Sequence, residues 1–140
     1  MIDQNVLLAK LAELDKRVRR VQQLRLGDAA HYASDETAAE LVSFNLMVAV
    51  QCASDLAAHL IADQDWGPAA SAGDAFDELA KRDVISSALA AQLRKAVGFR
   101  NAVAHGYAQL RSDLLHAAAT VGVDNLVEFS RALASWVAAS

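Results

Sequence analysis

The sequence predicts an all-α protein, an up-and-down bundle of helices. Three observations lead there. Alanine and leucine dominate a chain that is 54% hydrophobic, and proline occurs once, at Pro68. Apolar residues recur at steps of three and four. No stretch shows the period-two alternation of a half-buried strand. At 140 residues, without repeats or low-complexity linkers, residues 1–140 read as a single domain large enough to bury a core.

The elements follow in order. From Ile2 to about Leu26, the residues Leu7, Leu11, Leu14, Val18 and Val21 draw one apolar stripe, so a long amphipathic helix is expected there, ended by Gly27-Asp28. Ser34-Asp35-Glu36 is a helix start, and Thr37 to about Ala62 reads as a second long helix, apolar almost all round. At about 100° per residue, Phe44, Val48, Gln51, Asp55 and His59 share one sector, with Leu46, Val50, Ala53 and Ile61 opposite. A helix with two apolar faces is expected to be buried on both. The polar stripe Gln51/Asp55/His59 then makes buried hydrogen bonds, forms an interface, or borders a functional cleft. Trp66-Gly67-Pro68 is a turn, and Ser71 to Arg82 a short helix whose Ser71 and Asp74 resemble a capping box. Ser86 or Ser87 caps a helix carrying Leu89, Leu93 and Val97. Asp113 starts another helical stretch, expected to break near Gly122, and Asp124 caps a last helix with Leu126, Phe129, Leu133 and Trp136 inward.

Composition narrows the function classes. A net charge of −4 argues against a general polyanion binder, because phosphate contacts are driven by Lys and Arg. The basic residues are uneven, however. Lys10, Lys16, Arg17, Arg19, Arg20 and Arg25 crowd the first helix, where they read first as a solvated face. Arg94, Lys95, Arg100 and Arg111 surround a second region, so any RNA contact is expected to be local. No run of about 18 uninterrupted apolar residues and no leader pattern is present, so neither a membrane span nor a signal peptide is expected. The single Cys52 excludes an internal disulfide and fits a reducing cytoplasm.

Chemistry concentrates in "FRNAVAHGY", residues 99–107. Paired cysteines, HExxH, G-x-S-x-G and glycine-rich phosphate loops are all missing, and Asp55 with His59 supplies too few ligands for a metal, so no metal and no cofactor is expected. If residues 99–107 continue a helix, Phe99, Val103, Gly106 and Leu110 form an apolar seam. Arg100 and His105 then point roughly 140° apart. They meet at one phosphate only if the helix is irregular here or a second subunit adds its own copy. An arginine fork can bind a phosphodiester and stabilise the charge that builds on it. A histidine titrating near neutrality can move the proton of a 2′-hydroxyl or of the leaving oxygen. On spacing alone, Arg-x4-His is a weak pattern.

"RNAVAHGY" fits R-x4-H-x-Y, and with "FDELAKRDVISSALAAQLRKAVGFRN" and "NLMVAVQCASDLAAHLI" the chain resembles the HepT-like proteins, the toxin branch of the HEPN superfamily of metal-independent ribonucleases, over roughly residues 1 to 138. The resemblance implies an all-helical HEPN bundle, a homodimer in which two motifs line one RNA-cutting cleft. It implies that Arg100 and His105 are catalytic, that Asn101 assists, and that Arg94, Lys95 and Arg111 are available to RNA. Tyr107 would accept AMP from a cognate MNT-type nucleotidyltransferase antitoxin. The alternative is a catalytically silent helical module that binds a nucleotidyltransferase or a nucleotide.

Overall fold

The computed structural model describes residues 4–105 and 111–140, and within them every regular element is helical. Helix α1 (Gln4–Leu24) turns Leu7, Leu11, Leu14, Val18 and Val21 inward, the stripe that its periodicity predicts. Helix α3 (Glu36–Asp63) runs through the middle of the bundle and packs on α1, on α4 (Ala72–Lys81), on α5 (Ser87–Ala104) and on α7 (Val123–Ala138). By length and composition α3 could cross a membrane, with a window of mean hydropathy 1.5, but 50% of that window is buried inside the bundle. Its apolar side is the centre of the core: Leu46, Val50, Ala53 and Ile61 are all buried.

Caps set the helix starts. The Asp35 carboxylate accepts from Ala38 N–H at 3.0 Å, Ser71 Oγ from Asp74 N–H at 3.1 Å and Ser86 Oγ from Leu89 N–H at 3.1 Å. Between α3 and α4 the chain reverses through Asp65 and Gly67, at φ 59° and 86°; glycine takes the left-handed conformation without the steric cost that a β-carbon carries. Trp66 closes this corner, packed edge-on against Trp136 at 5.9 Å and covered by the Arg82 guanidinium at 5.1 Å.

The structure corrects several expectations, among them Asp124, which sits in the first turn of α7 and caps no helix. A short helix, α2 (Ala29–Ser34), follows Gly27-Asp28: Asp28 caps it, and buried Tyr32 accepts Leu26 N–H at its hydroxyl, 2.9 Å away. The chain does not break near Gly122. Helix α6 (Ser112–Ala117) passes into α7 through one π-helical turn, Ala118–Gly122, and Gly122 itself is right-handed helical. The wide turn frees carbonyls that the ladder leaves unpaired. Arg25 Nη1 donates to Ala119 O at 3.1 Å, and Thr120 Oγ1 to His116 O at 2.8 Å. Finally, α3 is not buried on both faces within one chain. Leu41 and Phe44 stay 42% and 48% exposed on the sector opposite the core.

Polar bridges tie the outer helices to this core. Arg17 Nη1 of α1 donates to Asn45 Oδ1 of α3 at 3.1 Å, and Ser130 Oγ of α7 donates to Asp15 Oδ1 of α1 at 2.8 Å. Phe76 of α4 and Phe129 of α7, both fully buried, meet edge to face at 5.6 Å. Phe76→Ala is therefore expected to cost about 3–5 kcal/mol, the usual range for emptying an aromatic site. Urea unfolding followed by circular dichroism measures it.

Candidate functional site

The site is assembled where the C-terminal end of α5 crosses α3. Helix α5 runs without interruption to Ala104, and His105 closes it, its N–H donating to Asn101 O at 3.0 Å. Arg100 and Asn101 thus lie in the last turn, with His105 at the cap and exposed. Tyr107 and Gly106, with Leu110 of the expected seam, lie outside the described residues.

Arg100 is half-buried and its guanidinium is held from two sides. Nη1 donates to Gln51 Oε1 of α3 at 2.6 Å, while Nε and Nη2 donate as a fork to Asn101 Oδ1 at 3.2 and 2.8 Å. Gln51 is oriented in turn by Asp55, one helical turn further on, whose Oδ1 accepts from Gln51 Nε2 at 2.9 Å. The stripe on α3 therefore meets the motif itself. Two of its members, Gln51 and Asp55, form a relay ending on Arg100. The third, His59, lies elsewhere: its Nε2 is buried with no hydrogen-bond partner among the described residues.

The acceptors around Arg100 are neutral amides. Arg100 makes no ion pair among the described residues, so its charge is not cancelled, and a guanidinium has five N–H donors of which three are engaged here. The other arginines of the region are spent differently. Arg94 Nη2 sits on Asp74 and Asp77 of α4, at 2.8 and 2.5 Å, and Arg111 Nη2 on Asp113 at 2.6 Å. Gly73 makes the Arg94 contact possible, since a β-carbon there would lie 2.8 Å from Arg94 Nη1. Lys95 faces away from both, along an apolar cavity of about 410 Å³ that it shares with Phe99 and Leu114. The structure thus brings Arg100 and Asn101 together, while Arg94 and Arg111 are engaged by carboxylates.

Two further groups narrow the chemistry. Burial pushes the Cys52 thiol up from its ordinary 9.0, and the Glu13 and Asp55 carboxylates add to the effect, so Cys52 stays a protonated thiol near neutrality and is a poor nucleophile. No group of three His, Cys, Asp or Glu side chains able to hold a metal occurs among the described residues.

Sequence reasoning located the α3 stripe but missed its partner. The signal was there: an amide and a carboxylate four residues apart on a helix can bond to each other and leave the amide oxygen aimed outward.

A stability test follows from the Arg94 cluster. The hydrogen bond from Arg94, then that with Ser71, holds Asp74 below its ordinary 3.8. A depressed carboxylate contributes stability that is present above 3.8 and lost as the pH falls through its lowered value. Asp74→Asn should lower the urea midpoint at neutral pH and flatten its fall on acidification. The effect should be small, because the pair is exposed.

Comparison with known proteins matches the chain to a family. The family model described as ribonuclease HepT-like covers residues 14–133. Over 111 residues the chain is 31% identical to the mRNA nuclease HepT of Shewanella oneidensis, an alignment spanning 79% of this chain and 83% of that protein. The fold is similar to that of a tri-AMPylated Shewanella oneidensis HEPN toxin in complex with MNT antitoxin, with a TM-score of 0.85 and 27% identity over 96% of this chain and 99% of that one. It is also similar to a chain from a toxin–antitoxin structure with AMP-PNP, at a TM-score of 0.83 and 27% identity over 95% and 99% of the two chains.

Proposed function

The chain belongs to the ribonuclease HepT-like family, and from that premise we propose how its own residues carry the activity. It is an RNA endonuclease, the toxin component of a HEPN–MNT toxin–antitoxin system, neutralised by AMP transfer from the cognate nucleotidyltransferase antitoxin. Arg100 and His105 are the catalytic residues, and Asn101 assists by holding Arg100. The observation that carries this is the suspension of Arg100 between two neutral amide oxygens, 2.6 Å from Gln51 and 2.8 Å from Asn101. An arginine positioned without a counter-charge is prepared for an anion.

The steps follow from these groups. Arg100 takes the scissile phosphodiester with its remaining N–H donors and stabilises the negative charge that grows as the 2′-oxygen attacks. His105, exposed at the end of α5 and directed away from the Arg100 of its own chain, works with the Arg100 of a second copy: it accepts the 2′-hydroxyl proton or supplies a proton to the leaving 5′-oxygen. The products are a 2′,3′-cyclic phosphate and a free 5′-hydroxyl. The nucleophile comes from the RNA, so the reaction needs no metal.

The working unit is a homodimer. Leu41 and Phe44 remain 42% and 48% exposed on the sector of α3 that leads along the helix to Gln51, so a second copy covering them would set its own motif beside this one. Of the three basic residues expected to touch RNA, Lys95 is the one that pairs with no carboxylate among the described residues; Arg94 and Arg111 have theirs. We assign the protein to the cytoplasm, on the ground of an RNA substrate and a lone cysteine.

Purified protein should cut RNA in EDTA and leave 2′,3′-cyclic ends. His105→Ala is expected to slow cutting by roughly 10²–10⁴. Arg100→Lys should also be severe, because a point charge replaces a planar fork. Cutting that stops in EDTA and returns with Mg²⁺ would refute the mechanism. An uncleaved RNA would favour the catalytically silent module that binds a nucleotidyltransferase or nucleotide.

Tyr107 is the AMP acceptor in this proposal. Adding AMP two residues from His105 sets a bulky nucleoside and a phosphate where the substrate must lie, and the phosphate competes for Arg100. Incubation with the cognate transferase, ATP and Mg²⁺ should add AMP-sized mass to residue 107. Tyr107→Phe should stay toxic and escape modification. Mass mapped to Tyr32 instead would move the control away from the motif, although Tyr32 is 3% exposed and its hydroxyl is engaged by Leu26 N–H.

A further inference from the structure

Arg100 stands on the rim of a second cleft, of about 640 Å³, between α3 and the turn that leads into α4. Gln51, Ser54, Asp55, Ala58 and Pro68 line it with Arg100. Its size falls within the ~300–1,000 Å³ of small-ligand sites. Its chemistry is lopsided. Apart from Arg100 at the mouth, the charged groups are carboxylates, Asp55 and Asp65.

The acceptors inside are free to receive. Asp55 gives one oxygen, Oδ1, to Gln51 at 2.9 Å, and its other oxygen takes no hydrogen bond from the described residues. Ser54, only 7% exposed, spends its proton on Val50 O at 3.0 Å, which leaves its oxygen able to accept. Small flat walls from Ala58 and Pro68 suit the face of a planar ring. Two carboxylates disfavour a phosphate beside them. A neutral base with N–H donors can enter, and its phosphate would then rest at Arg100.

We infer that this cleft is the base-binding subsite of the ribonuclease, taking the nucleoside next to the phosphate that Arg100 holds and preferring guanine. Guanine carries N1–H and N2–H side by side, donors for the free oxygen of Asp55 and the oxygen of Ser54, which line the same cleft. Uracil has a single N–H flanked by two carbonyls, which the Asp55 and Ser54 oxygens repel. Asp55 then has two tasks, orienting Gln51 with one oxygen and selecting the base with the other. This inference rests on the ribonuclease reading for the identity of the ligand, but its binding test does not require cleavage.

The test is titration of the full chain with guanosine and uridine 5′-monophosphates, followed by calorimetry. Wild type should bind the guanosine nucleotide at least about tenfold more tightly, the discrimination expected of one bidentate pair. Asp55→Asn keeps an oxygen for Gln51 and replaces the free oxygen with an N–H donor. It should erase the preference for guanosine. Ala58→Phe, at an exposed position, should fill the cleft and weaken guanosine binding at least about tenfold while the circular dichroism spectrum is unchanged. Equal affinity for the two nucleotides in wild type would overturn the inference. So would Ala58→Phe binding as wild type does, whether or not the protein cuts RNA. Wild type that binds with the expected preference yet leaves RNA intact would overturn the ribonuclease reading and leave the subsite standing.

Discussion

The structure depends on burying one side of α3 through the centre of the bundle. A helix of 28 residues packed on α1, α4, α5 and α7 can carry a polar side chain only where a neighbour satisfies it or solvent reaches it. Asn45 meets Arg17 of α1, Ser54 returns its proton to Val50 O, and Gln51 meets Arg100 of α5. The last of these joins the core helix to the motif. The position of Arg100 is thus tied to helix packing as well as to the conformation of α5.

Charge is divided between structure and chemistry. Arg94 and Arg82 fasten α4 to its surroundings: Arg94 from α5 through Asp74 and Asp77, Arg82 through Glu78 and the face of Trp66. Their positive charges are matched where they stand. Arg100 is held equally firmly by amides and keeps its charge. This division lets a chain of net charge −4 keep an arginine without a carboxylate partner, among the described residues, at the motif.

The π turn at Ala118–Gly122 shows how tertiary contacts can override a local breaking signal. Glycine is a poor helix former, yet here it continues the helix, because the widened turn is stabilised from outside by Arg25 donating to Ala119 O. That contact joins residues 94 positions apart. In the same way, the short helix α2 exists because Tyr32 is buried against the α6 region and its hydroxyl satisfies Leu26 N–H.

The sequence by itself determined the helices whose apolar spacing and capping residues agree: the stripe from Leu7 to Val21, the starts at Asp35, Ser71 and Ser86, and the inward residues Leu126, Phe129 and Leu133. These are legible because propensity, period and caps act within a few residues of one another. The motif from Arg100 to His105 was legible too, as a concentration of proton-moving and anion-binding groups where packing requires none. Only the tertiary structure decided that, among the described residues, Arg94 is matched by carboxylates and Arg100 is not, because the counter-charge on Arg94 comes from Asp74 and Asp77, on another helix, and is invisible to local pattern. It also decided what Gln51 and Asp55 touch. On α3 alone they are a polar stripe with several possible partners. Only the crossing of α5 brings Arg100 to within 2.6 Å of the amide and turns the stripe into part of the site.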